Sequence, residues 1–127
     1  MKTMVAFCMV LLSSVFWPGS RALCHQEQCD RAEQFAKNAL DHSKRLYYVE
    51  TMEEAQLYAS HLLKAAQDAL KAASRCGCPE AEAYAEETTK YARKAQTAST
   101  LADVRVEAEN AIGSAEDALR AAVTCND

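Results

Sequence analysis

Cysteine and histidine are the residues of this chain with the most specific chemistry. Among its 127 residues there are six cysteines and three histidines. Cys24 beside His25, together with the Cys76-Gly77-Cys78 segment, would offer soft ligands to copper or zinc if the thiols were reduced, and the same segment suits a compact thiol-exchange pair. Structural disulfides are the stronger expectation, because the N-terminal segment directs the chain to an oxidising compartment.

That N-terminal segment has the features of a secretory signal peptide. Lys2 precedes an apolar run over residues 4–16, and small residues follow up to Ala22. The apolar run is about 13 residues long, whereas a helix that spans a bilayer needs about 20. We therefore expect cleavage after Ala22 and no stable membrane insertion afterwards, so that the mature chain is exported to the periplasm or the extracellular space.

The mature chain contains a tandem repeat. An offset of 49 residues superimposes segment 66–73 on segment 115–122, and the same offset superimposes cysteine on cysteine at both ends of the unit. Two copies of one unit explain this coincidence better than chance similarity between alanine-rich helices. The predicted organisation is a signal peptide over 1–22 and one helical domain over 23–127, with repeat 1 at 29–77 and repeat 2 at 78–126.

Helix signals divide each repeat into two helices. Thr51 with Glu54 and Thr100 with Asp103 have the spacing of helix N-caps, and Gly77 followed by Pro79 separates the repeats. The predicted helices run from Asp30 to Tyr47, from Thr51 to Arg75, from Pro79 onward, and from Thr100 to Thr124.

The residues that face each other within a helical hairpin can be predicted from their numbers. Along two antiparallel helices one residue number rises as that of its partner falls, so the two numbers of every facing pair add to the same value. In repeat 1 this sum is 105 and the predicted partners advance in steps of three and four, as in helix–helix interfaces. The pairs are Cys29 with Cys76, Ala32 with Ala73, Ala36 with Ala69, Ala39 with Ala66, Ser43 with Leu62, and Leu46 with Ala59. In repeat 2 the sum is 203. The pairs are Cys78 with Cys125, Ala81 with Ala122, Ala85 with Ala118, Thr88 with Ala115, Ala92 with Ala111, and Ala95 with Ala108.

Alanine facing alanine brings two helices close together, and close helices suit disulfides. We therefore predict the disulfides Cys29–Cys76 and Cys78–Cys125. The predicted fold class is all-α: two tandem disulfide-stapled antiparallel helical hairpins packed as a four-helix bundle. Larger residues flank the interfaces and are expected to join hairpin to hairpin: Phe35, Leu40, Tyr47, Leu63, Leu70, Tyr84, Tyr91, Ile112, Leu119 and Val123. The alternative places the hairpins end to end, with these flanks covered by a partner or a second copy of the chain.

Cys24 has no counterpart in repeat 2. It is predicted to be a disordered free thiol or to form an intermolecular disulfide that links two chains as a homodimer. Lipid modification of Cys24 is a further alternative, which the bulky Leu23 before it disfavours.

The patterns favour binding over catalysis. We find no phosphate-binding loop, nucleophile elbow or Glu-x-x-His motif, and we predict no catalytic residues, cofactor or metal. The net charge of −4 argues against nucleic acid. The leading interpretation is a non-catalytic interaction module for an unknown protein partner, with Tyr47, Tyr48 and Tyr58 as a recognition surface unless Tyr47 belongs to the core. The alternative is a metal-binding or thiol-exchange protein that uses Cys24, Cys76 and Cys78. His42 and His61 are expected on different faces.

Overall fold

The structure, a computed structural model, describes the backbone of residues 18–127 and the side chains of residues 26–127. The described part of the chain is built from helices without strands, which confirms the predicted all-α class. The helices are α1 (Pro18–Tyr47), α2 (Met52–Cys76), α3 (Pro79–Thr97) and α4 (Leu101–Asn126).

Helix α1 is longer than predicted. It begins at Pro18, whereas the sequence placed its start at Asp30, so its backbone runs through the predicted cleavage point after Ala22. Removal of 1–22 would shorten α1 by its first five residues, 18–22. The rest of the predicted signal peptide, 1–17, lies outside the described residues.

The predicted helix caps are confirmed. The Thr51 hydroxyl accepts a hydrogen bond of 3.1 Å from the Glu54 amide and donates to the Glu54 carboxylate at 3.2 Å, and Thr100 accepts from the Asp103 amide at 3.2 Å. These bonds satisfy amides in the first turns of α2 and α4 that have no partner within the helix. The two caps fix where the second helix of each hairpin begins.

Gly77 ends α2 in the left-handed conformation, with φ of 72°. Its amide donates to the Ser74 carbonyl at 3.1 Å, and the Cys78 amide donates to the Ala73 carbonyl at 3.0 Å, which is the hydrogen-bond pattern of a Schellman motif. A residue with a side chain disfavours this backbone conformation, so glycine is required. The turn places Cys76 and Cys78 on either side of the break between α2 and α3.

The four helices form an up-down-up-down bundle. Helices α1 and α3 each pack against both α2 and α4, whereas the diagonal pairs have few contacts. The hairpins are therefore side by side, as in the predicted bundle, and the end-to-end alternative is wrong. At the end where α4 finishes, Asn126 Nδ2 donates to Asp30 Oδ1 at 2.6 Å and to Glu33 Oε2 at 3.3 Å, which ties α4 to α1.

Alanine fills most of the core. Among the described residues, 20 of the 27 buried apolar side chains are alanine, and the largest fully buried ones are Leu46, Leu62 and Val104. Every residue of the predicted interface pairs is buried except Cys125. The constant-sum rule therefore identified the buried face of all four helices.

The predicted role of the larger residues is met only in part, because they pack against the buried clusters of both hairpins without being fully buried. Phe35, Leu63 and Tyr84 are only partly buried, and Val123 is exposed. Buried residues outside the predicted pairs are mostly small as well, among them Ala65, Ala72, Thr89, Ser114 and Ala121. Small residues thus fill most of the buried space between the four helices, and the partly buried aromatic rings pack against the edges of the buried clusters.

Candidate functional site

The two predicted disulfides are present at one end of the bundle. The Cα atoms of Cys29 and Cys76 are 4.9 Å apart and those of Cys78 and Cys125 are 6.1 Å apart, both within the usual range for a disulfide. Each bond closes one hairpin at the end opposite its loop, where helix α1 or α3 is held against its partner.

The chemistry of these sulfurs is structural. Cys76 and Cys78 bond to different partners and not to each other, and Cys29, Cys76 and Cys78 are each only 1% exposed. A buried disulfide sulfur is neither a thiolate nucleophile nor a good metal ligand. The metal-binding or thiol-exchange alternative therefore requires prior reduction of both bonds.

Cys24 and His25 lie outside the residues whose side chains the structure describes. The fate predicted for Cys24, whether a free thiol, an intermolecular disulfide or a lipid-modified residue, stays a prediction. Among the described side chains, no three or more histidine, cysteine, aspartate or glutamate residues are grouped as a metal would require.

The three predicted recognition residues, Tyr47, Tyr48 and Tyr58, are here called the tyrosine surface. Tyr48 is 77% exposed, whereas Tyr47 and Tyr58 are partly buried against the core. The rings of Tyr47 and Tyr48 meet edge to face, with centroids 5.1 Å apart and an interplanar angle of 82°. Tyr47 thus has one side in the core and the other side supporting Tyr48, so both interpretations of Tyr47 hold in part.

A second large apolar side chain next to Tyr58 in the sequence is also exposed. Leu57, on the first turns of α2, is 55% exposed. Large apolar side chains held in water at the loop end of a hairpin are the kind of feature that protein interfaces use.

The expectation that His42 and His61 lie on different faces is wrong, because the two rings stack on each other. His42 of α1 and His61 of α2 stack with ring centroids 5.5 Å apart and planes inclined by 18°, and Tyr58 lies 6.2 Å from His61. A signal was available: the two residue numbers sum to 103, close to the interface value of 105, which places the residues at one level of the hairpin.

The environment of His42 disfavours its charged form. Burial lowers the pKa of His42 below the usual 6.5, with further lowering by His61 and Arg45 and an opposing effect of Asp41. His42 Nδ1 is buried without a hydrogen-bond partner. A neutral imidazole is the form that this environment favours at neutral pH.

One polar contact lies inside the second hairpin. The hydroxyls of Thr88 and Ser114 are 2.7 Å apart, and each is within reach of a carbonyl of its own helix, Tyr84 O at 2.9 Å for Thr88 and Ala111 O at 3.2 Å for Ser114. One hydroxyl donates to the other and the accepting hydroxyl donates to its carbonyl, so both groups are satisfied within the core.

The fold and site together define a disulfide-linked, alanine-cored four-helix bundle whose polar core groups are structural. Comparisons with protein-family models, with curated proteins and with solved structures found no match to this chain. None of the helices in the described part of the chain has both the length and the apolar content that crossing a bilayer requires.

Proposed function

We propose that this chain is a small exported helical protein that binds a partner protein and catalyses no reaction. The observation that carries the proposal is Tyr48, which is 77% exposed while its ring is supported by Tyr47. A tyrosine that is already positioned loses little conformational entropy on binding, and tyrosine is enriched among the residues that dominate interface energies.

Two features support export. Disulfides persist in oxidising compartments, and two of them join described side chains of this protein. Residues 1–22 supply the signal peptide and 23–127 the mature domain, a tandem repeat of 29–77 and 78–126, with a net charge of −6 from twelve basic and eighteen acidic side chains. The destination is the periplasm or the extracellular space.

Export is tested by mass spectrometry of the protein recovered outside the cytoplasm. We expect a mature N-terminus at Leu23, a mass that matches two intact disulfides, and at most one free thiol. Three or more free thiols would favour the metal-binding or thiol-exchange alternative. Cys24→Ser should leave folding intact and should remove any covalent homodimer from a non-reducing gel.

Partner binding is tested by quantitative pull-down from the exported fraction. Truncating a central interface tyrosine costs about 2 kcal/mol or more, so Tyr48→Ala should weaken the affinity for the partner by about 30-fold and lower its recovery accordingly. The matched control is Val106→Ala, since Val106 is 55% exposed and belongs to α4, whereas the tyrosine surface belongs to α1, the α1–α2 loop and α2.

Equal recovery with Tyr48→Ala and the unaltered protein would show that the tyrosine surface is not the binding site. Equal losses with Tyr48→Ala and Val106→Ala would indicate nonspecific capture through exposed apolar groups. Either outcome would contradict the proposal.

A further inference from the structure

A groove between α2 and α3 gathers positive charge on an acidic protein. Its volume is about 560 Å³, and its walls carry Lys71 of α2 and Lys90, Arg93 and Lys94 of α3, all exposed. Leu70, partly buried, lines it as well. We call this feature the cationic groove.

The cationic groove concentrates a large share of the available positive charge. Its walls hold four of the twelve basic residues within 26–127, and Glu86 is the single carboxylate residue among its lining residues. The local formal charge is therefore +3 in a chain whose net charge is −4. Such a local excess attracts anions even though the protein as a whole repels them.

These four cations take no part in the ion pairs of the described residues. The ion pairs there join Arg31 to Glu27, Lys64 to Asp68, and Arg120 to Asp117. Lys94 lies 5.7 Å from the ring centroid of Tyr91, a cation–π contact and not an ion pair. Like charges held together raise the free energy of the unbound protein, and an anionic ligand would relieve that repulsion.

The side chains at the floor of the cationic groove, together with its size, limit the kinds of ligand that it can bind. The buried Thr89 hydroxyl donates to the Ala85 carbonyl at 2.9 Å, so the floor offers no free hydroxyl proton, and Leu70 adds apolar surface. An occupant must therefore bring anionic groups to the rim and an apolar group to the floor. A protein segment with carboxylates on either side of an apolar side chain meets both conditions. A nucleic acid would extend past the groove onto a net acidic surface and be repelled.

We propose that the cationic groove docks an acidic, amphipathic segment of a partner protein. This deepens the proposed function, on which it rests, by naming the chemistry of the partner. The groove is formed by residues 86–94 of α3 and the second half of α2, whereas the tyrosine surface lies at the α1–α2 loop and the start of α2. The two surfaces are therefore tested by separate variants.

The experiment measures fluorescence anisotropy of the oxidised mature protein with a short labelled peptide in which glutamates flank leucines. The comparison peptide has glutamine in place of each glutamate. We expect the acidic peptide to bind more tightly than the glutamine peptide, and its binding to weaken as ionic strength rises.

Arg93→Ala/Lys94→Ala should weaken binding of the acidic peptide by about ten-fold, since each exposed charge pair contributes up to about 1 kcal/mol. Lys44→Ala/Arg45→Ala is the matched control: it removes the same charge from the same helical position, 49 residues earlier and at the end of α1. The control should change affinity by less than about three-fold. Lys71→Ala, on the opposite wall, should give a loss of about three-fold.

Equal affinity for both peptides, or equal losses in the groove and control variants, would overturn the proposal. So would groove-dependent binding to phosphatidylglycerol vesicles without binding to the acidic peptide, which would assign the groove to a membrane surface. Tyr48→Ala should leave peptide affinity unchanged. Suppose that the groove variants had no effect on peptide binding while Tyr48→Ala still reduced partner recovery. The proposal that the cationic groove docks an acidic segment would then be wrong, whereas the proposed function would stand.

Discussion

Removal of each disulfide in turn tests how this thin core is stabilised. The changes are Cys29→Ala/Cys76→Ala and, separately, Cys78→Ala/Cys125→Ala. Both bonds span 47 residues, so the chain-entropy model gives each about 4 kcal/mol. The pairs differ in burial: Cys29 and Cys76 are both buried, whereas Cys125 is exposed. The first variant loses one more buried sulfur, which adds about 1 kcal/mol to its cost.

The assay is urea unfolding followed by far-ultraviolet circular dichroism. We expect both variants to unfold at lower urea than the parent, with Cys29→Ala/Cys76→Ala the less stable, and with steeper transitions because the unfolded chains are less constrained. The two loops do not overlap, so removing both bonds should cost about 8 kcal/mol. That is comparable to the whole stability of a typical domain, and the fully reduced chain should be largely unfolded. A parent-like midpoint for either double variant would refute the reasoning.

Further predictions concern the helix interfaces and one titrating group. Ala69→Leu should overpack the α1–α2 interface and cost about 1 to 3 kcal/mol, so an unchanged melting temperature would contradict the close alanine packing. Gly113→Ala should stabilise α4 by up to about 1 kcal/mol, measured by urea midpoint, because an added Cβ would meet no atom within 4 Å; a lower midpoint would show an unseen contact. Thr88→Val should cost about 1 kcal/mol, and the double variant with Ser114→Ala should cost less than the two single changes together if the hydroxyls are coupled. Since burial lowers the pKa of His42, the unfolded chain binds more protons, and the free energy of unfolding should decrease as pH falls through 6.5; His42→Gln should flatten this dependence, and an unchanged pH profile would exclude His42 as its source.

The cysteine pairing and the buried faces could be predicted because they depend only on the spacing of residues along the sequence. In an antiparallel hairpin the loop length fixes which residues are level, and the positions of the cysteines within each repeat fix the register. Ser43 and Thr88 illustrate the strength of this rule: both are polar, both fell at interface positions, and both are buried. Each hydroxyl bonds to a carbonyl one turn earlier, so polarity did not prevent burial.

The placement of the large side chains could not be predicted, because it depends on the distance between hairpins. A hairpin considered alone leaves Phe35 and Tyr84 in need of cover, and a second hairpin was the natural partner. The structure shows that the second hairpin also approaches through small residues, so that both rings end at the periphery. The His42–His61 stack has a related cause: the helical faces of the two residues predict separation, whereas their similar level along the hairpin brings the rings together.

The packing of this bundle also limits where function can reside. Leu46, Leu62 and Val104 are the largest fully buried side chains of the described residues, and alanines occupy most of the remaining core, so the interior of the bundle is filled by its own side chains. The proposed partner recognition would therefore use the outer surface. The Cys29–Cys76 and Cys78–Cys125 disulfides and the packed helices would hold that surface in one arrangement before a partner binds, which would reduce the entropy lost on binding. A single exposed tyrosine and four unpaired cations can then contribute more to affinity than the same groups would on a flexible chain.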